Sequence, residues 1–250
     1  NGPTQIFYDG TKLFVADKAN HRVLIWNSLK TSNQALPDVV VGQPDMSSSS
    51  SNQGGAIGPN TLSNPDGVFS DGTKLFVSDS TNNRVLIWNA IPSSNNAAAN
   101  VVVGQVGMGA GTANQGGSAA AGTLNAPSGL YVSNGKLFVA DRLNNRVLIW
   151  NTIPASNGAT ANLVLGQGSF TSTASGTTSS TMNTPYSVVS DGTNVYVADK
   201  ANNRVLGWTS FPGTNGAPAN MVLGQPNFTT ATANTGGISA ATLNGPTAVN

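Results

Sequence analysis

One eleven-residue motif returns four times along this chain: DKANHRVLIWN at 17–27, DSTNNRVLIWN at 79–89, DRLNNRVLIWN at 141–151 and DKANNRVLGWT at 199–209. A motif that recurs at intervals of 62, 62 and 58 residues is the mark of an array in which each unit buries an apolar face against its neighbour. The motif also decides how to read His21, the only histidine present. It stands where the sister repeats carry Asn83, Asn145 and Asn203, so the expectation is a polar turn residue rather than a catalytic one. With no second histidine and no cysteine, an ordinary metal site is not expected.

The spacing inside the repeat is fixed. Pro3, Pro65, Pro127 and Pro185 stand 14 residues before Asp17, Asp79, Asp141 and Asp199. Trp26, Trp88, Trp150 and Trp208 follow those aspartates by 9 residues, and a Gly-Gln pair ending at Gln43, Gln105, Gln167 or Gln225 follows each Trp by 17. Only the distance from that Gln to the next proline varies, running 22, 22, 18 and 21 residues. Length variation confined to one connection marks it as a surface loop. The repeats therefore run approximately 3–64, 65–126, 127–184 and 185–245 within a single domain, and 246–250 begins a fifth. Because NGPTAVN at the end repeats the opening NGPTQIF, a longer native polypeptide with six units is expected.

Each unit holds four short β-rich runs separated by turn signals, as in DGVFS, KLFVSD, RVLIW and VVVGQ. Asp-Gly at 9–10, 71–72 and 191–192, and Asn-Gly at 134–135, join the first two runs and predict tight hairpins with positive φ. LFVA and VLIW are apolar at consecutive positions, which predicts middle strands covered on both faces. The runs are too short and too bounded by Gly, Asn and Pro for helices. A parallel β-helix is the weaker alternative, since its rungs are shorter and its strands are not joined by such hairpins. The expected fold is therefore all-β: a β-propeller of four-stranded antiparallel blades, four complete and one begun.

The charged residues follow the same period. Asp17, Asp79, Asp141 and Asp199 lie five residues before Arg22, Arg84, Arg146 and Arg204, a spacing that predicts one charge-assisted pair per blade. Catalysis needs one differentiated constellation, whereas packing needs the same contact every time. The pairs are thus read as structural, and so are the four tryptophans. Only Asp38, Asp45 and Asp66 fall outside the pattern. Overall there are 11 Lys plus Arg against 10 acids, all of them Asp, and charged residues make up 8% of the chain. No strong field for nucleic acid or an anionic membrane follows from that, and no apolar run approaches a membrane span.

The Pro-led strand, the apolar strand ending in Ala-Asp and the following Asn-x-Arg-Val resemble the NHL-repeat propellers, whose namesake tripeptide falls near Asn20-His21-Arg22 and is Asn-Asn-Arg in the other three repeats. LGQPNFTTATANTGG at 223–237 is similar to a long-repeat bacterial subgroup of mostly uncharacterised function. The resemblance implies a binding platform or, in a minority of members, a lyase; its longer units are a departure. The expectation is a non-catalytic extracellular or cell-surface module without cofactor, binding a protein or small ligand. The alternative is a lyase or hydrolase whose catalytic residues lie on blades outside this chain. Ligands are expected at the end carrying the long connections, marked by Met46, Met108, Phe170 and Phe228, each three residues after the Gln. Self-association through the open terminal strands is a further expectation.

Overall fold

A computed structural model describes residues 2–249 of the chain. It consists of four four-stranded sheets, each a meander in which strands adjacent in sequence pair in antiparallel fashion. The first contains β1 (Gln5–Tyr8), β2 (Leu13–Asp17), β3 (Arg22–Trp26) and β4 (Val39–Val41). The second contains β5 (Pro65–Ser70), β6 (Leu75–Asp79), β7 (Arg84–Trp88) and β8 (Val101–Val103). The third is built from β9 (Pro127–Ser133), β10 (Lys136–Asp141), β11 (Arg146–Trp150) and β12 (Leu163–Leu165). The fourth is built from β13 (Pro185–Ser190), β14 (Val195–Asp199), β15 (Arg204–Trp208) and β16 (Met221–Leu223). Every sheet thus has the strand order of a propeller blade, and antiparallel pairing throughout excludes a parallel β-helix. Among the described residues no helix is long and apolar enough to cross a membrane.

The chain falls into two compact units, Asn1–Gly116 with Pro154–Ala159, and Gly117–Ile153 with Thr160–Asn250. In the first, one face of the β1–β4 sheet (Phe14, Val23, Val41) packs on the β5–β8 sheet (Val77, Leu86, Trp88) as a continuous apolar core. The Phe7 and Phe69 rings lie 4.4 Å apart, and Phe7 packs against this core. In the second, Phe138, Val147 and Leu165 meet Val197, Leu206 and Trp208 in the same way. Burial on both faces holds for β6, β7, β10 and β11, where every residue but Lys136 is buried. In β2 and β3 it fails: alternate residues are only half-buried, and Ile6 of the adjoining β1 is 66% exposed. Those strands keep the two-residue period that a sheet packed on one face shows.

The hairpins also differ from expectation in detail. Asn134 and Gly135, with φ of 48° and 71°, form the one two-residue turn of the type that Asn-Gly predicts. The Asp-Gly turns are longer, and only their glycines have positive φ. Their aspartates act as acceptors instead: Asp71 Oδ1 takes the backbone N–H groups of Thr73 at 2.9 Å and Lys74 at 2.7 Å, a side-chain-closed turn.

Candidate functional site

Consecutive antiparallel strands send their turns to alternate ends, so the β2–β3 type hairpin and the long connection between sheets share one end. The structure ties them together through the repeated arginine. Arg84 is fully buried. Its Nε donates to Asp79 Oδ2 at 2.8 Å, Nη1 to the Met108 carbonyl at 2.5 Å, and Nη2 to the carbonyls of Gly58 and Thr61 at 3.0 and 2.9 Å. One guanidinium therefore holds the connection that enters its sheet and the connection that leaves it. Arg146 makes the same set, with Asp141, Phe170, Ala120 and Thr123 as acceptors. Arg204 does so with Asp199, Phe228, Thr178 and Thr181. Arg22 pairs with Asp17 at 2.7 Å and bonds the Met46 carbonyl, and its side chain is 16% exposed where the other three are closed.

The loop residues Met46, Met108, Phe170 and Phe228 thus supply backbone carbonyls to the arginines. Met108 and Phe228 also rest their side chains on the cores of their units. Gln105 completes the clamp: its Nε2 donates to the Asn83 carbonyl in the hairpin and the Thr112 carbonyl in the connection, both at 2.9 Å. The Gly before each Gln has a positive φ, and at Gly42, Gly166 and Gly224 shape requires it as well. Gly42 has φ of 88°, and a Cβ there would lie 2.5 Å from Leu62 Cδ1.

Burial pushes the Asp79, Asp141 and Asp199 carboxyls above their ordinary value, while their arginines and the Asn or Ser donors around them pull the other way. At Asp17 burial also pushes upward, but the bonds from Asn20 and Arg22 outweigh it and hold the carboxyl low. Perturbed carboxyls mark functional sites and structural ion pairs alike. One geometry recurs in sheet after sheet, with each of these acids paired to the adjacent arginine. The tryptophans are similarly engaged: Trp88 and Trp208 are buried, and their Nε1 groups donate to the carbonyls nine residues on, Ala97 and Ala217. Trp26 makes the same bond to Ala35 but is only half-buried.

Two of the three aspartates that stand outside the sequence period prove to occupy repeating slots. Asp38 accepts the Asn27 backbone N–H as Asn100 accepts that of Asn89 and Asn220 that of Thr209, so Asp and Asn are isosteres there. Asp45 closes a turn on Ser47 and Ser48, which holds its carboxyl down at about 2; Asn227 closes the same turn on Thr229 and Thr230. Asp66 is the exception. It sits beside Pro65 where the β5–β6 register shifts, and it forms an ion pair of 3.1 Å with Lys18, its own side chain fully closed from solvent.

That bulge marks a chemically variable place at this end of the sheets. The residue after the proline reads Thr4, Asp66, Ser128 and Tyr186 in successive units, and the first residue of the hairpin turn reads Lys18, Ser80, Arg142 and Lys200. Bulges re-aim side chains. Here Tyr186, at the bulge on β13, lies close to two cations: the Lys200 ammonium is 4.5 Å and the Arg142 guanidinium 5.9 Å from its ring centre. Neither cation was singled out by the sequence reading. Their signal is variation in a column whose neighbours, Asp, Asn and Arg, hardly vary. Among the described residues no group of three or more His, Cys, Asp or Glu could hold a metal.

Two apolar hollows lie on the fourth sheet. One, of about 490 Å³, is lined by Val205, Val222, Leu223 and the segment 240–243. The other, of about 290 Å³, lies among Val189, Tyr196, Val205, Leu223 and Val249.

No family model matches the chain, and no curated protein matches it. Among solved structures it is similar to a computationally designed protein, Ika8, at a TM-score of 0.46 and 8% identity over 83% of this chain. It is similar to the WD40 repeats of RRP9 at 0.49 and 14% over 88%, and to a putative 6-phosphogluconolactonase from Bacteroides uniformis at 0.49 and 15% over 86%. The chain spans about half the length of these structures, 46%, 50% and 54% respectively.

Proposed function

We propose that the chain is a run of NHL-type propeller blades serving as a non-catalytic, extracellular binding module, with its ligand face at the end that carries the hairpin turns and long connections. The observation that supports this reading most is the fate of the repeated charges. Asp79, Asp141 and Asp199 are each consumed by one arginine, whose remaining donors go to loop carbonyls. Chemistry needs an acid or base free to exchange protons with a substrate; these groups are committed to holding loops. Loops pinned in this way form a preorganised surface, and preorganisation favours binding by reducing the ordering cost.

The test is a screen of the chain against peptide and glycan arrays, followed by hydrogen-exchange footprinting of the strongest hit. Protection should fall on the hairpin turns and the segments 44–62, 106–124 and 168–182, with the ligand recovered unchanged. A footprint on the Asp-Gly turns, or a chemically altered ligand, contradicts the reading. Self-association, if the same module undergoes it, belongs on the open face of the fourth sheet with the β1–β4 sheet of a second copy. Val189, Tyr196, Val205 and Leu223 of that face occupy the repeat positions at which Tyr131, Phe138, Val147 and Leu165 pack on the next sheet. Sedimentation velocity over a concentration series reads it directly, and a monomer at all concentrations excludes it.

A further inference from the structure

We infer that Arg142, Lys200 and Tyr186 form a binding site for a compact oxyanion, a carboxylate or phosphate group on a small molecule. The inference rests on the binding-module reading, because the site lies at the same end of the sheets. Its basis is a comparison between equivalent places in the two units. In the first, Lys18 is neutralised by the buried Asp66 at 3.1 Å. In the second, Tyr186 replaces the aspartate, so the counter-charge is gone.

A second cation is also brought to the ring, since Lys200 at 4.5 Å and Arg142 at 5.9 Å share it. The two charges therefore lie within about one Debye length of each other at ordinary salt. Among the described residues neither has a carboxylate within 4.0 Å. Asp141 and Asp199, the acids nearest in sequence, are taken by Arg146 and Arg204. Arg142 Nε touches the Ala126 carbonyl at a marginal 3.5 Å, which leaves both Nη groups unpartnered among the described residues.

Two like charges held near one ring by short turns repel each other, and an anion within reach of both offsets that repulsion. The backbone fixes the geometry. Arg142 and Lys200 each open a 3₁₀ turn that closes on a residue in the left-handed conformation, Asn145 and Asn203. Tyr186 is set by the bulge between Pro185 and Ser187. The guanidinium offers a planar fork to two oxygens, and the ammonium offers a point charge. The Tyr186 ring supplies an apolar wall.

The experiment is isothermal titration of the whole chain with sodium malonate and, in a separate arm, with inorganic phosphate. Both are run against sodium chloride at matched ionic strength. Saturable binding of at least one anion is expected. Arg142→Gln and Lys200→Gln should each weaken it tenfold or more, whereas Lys18→Gln should leave it unchanged. Tyr186→Asp installs the acid found in the first unit and should abolish binding while the protein stays folded by circular dichroism. No saturable heat with either anion, or equal weakening by Lys18→Gln, overturns the site. The arm that saturates identifies the oxyanion. Loss of this site with array binding intact leaves the module reading standing. Anion binding accompanied by turnover of an array ligand would instead overturn that reading and leave the site.

Discussion

The Nδ1 atom of His21 accepts the backbone N–H of Asn64, 43 residues away and directly before β5, at 3.0 Å. Asn145 Oδ1 accepts that of Thr184 at 2.8 Å, and Asn203 Oδ1 that of Gly245 at 2.8 Å. The slot demands two things: a left-handed backbone, φ 53° at His21 and 54° at Asn145 and Asn203, and an acceptor projecting towards the following unit. Asn and His are among the few residues with a side chain that tolerate that conformation readily. Histidine meets the second demand only while Nδ1 is unprotonated.

A pH dependence follows. Burial pushes the His21 pKa below its ordinary value of 6.5, against the opposing pull of Asp79. A histidine with a lowered folded pKa binds fewer protons when folded than when unfolded. Its contribution to stability is therefore fully present above about pH 6.5 and declines as the pH falls towards the folded pKa. His21→Asn should be within about 1 kcal/mol of the parent at pH 7.5 and should lose less stability than the parent between pH 7 and pH 5. Urea unfolding at both pH values measures this. Identical losses in the two proteins would remove His21 as the source.

Burial, not the indole hydrogen bond, should separate the tryptophans. Trp88 and Trp26 make the same 3.0 Å bond to the residue nine positions on, but Trp88 is 2% exposed and Trp26 half-buried. Trp88→Ala should cost about 3–5 kcal/mol, as for other large-to-small core changes. Trp26→Ala should cost about half that or less, because less apolar area leaves water on folding. Equal costs would place the energy in the hydrogen bond that both share.

Thr184 stands at φ 56° directly before Pro185, a conformation costly for a β-branched residue. Gly2 and Gly245 hold the same slot at φ 66° and 58°. The left-handed backbone costs a residue with a Cβ about 1–2 kcal/mol, of which glycine's greater freedom when unfolded takes back about 0.5–1 kcal/mol. Thr184→Gly should therefore stabilise the second unit by about 0.5–1 kcal/mol. A lower melting temperature would mean that the threonine hydroxyl, bonded to Asn183 at 3.1 Å, outweighs the strain.

What was legible in the sequence was whatever a side chain records at short range. Strand runs, their order and the Asp79–Arg84 pairing across one hairpin all lie within a few residues of one another. The acceptors of Arg84 at Gly58, Thr61 and Met108 were not legible, because a backbone carbonyl leaves no mark on residue type. The longer Asp-Gly turns were missed because Asp closes a turn with its carboxylate as readily as Asn adopts positive φ. Asp38 and Asp45 looked aperiodic because the repeat uses Asn for the same acceptor role. The Tyr186 site depends on a register shift in β13, and one side chain's aim cannot be read from spacing alone when the ladder slips.

The repeated Asp–Arg pair acts as a clamp on the connections between sheets. Arg84→Lys tests it most directly, since it keeps the charge beside Asp79 but removes the planar fork that reaches three carbonyls. Amide hydrogen exchange, resolved by residue, should show faster exchange in both 58–63 and 106–116, with β6 and β7 retaining most of their protection. Unchanged protection in both connections, with any ligand binding lost, would contradict the account and return the arginine to chemistry.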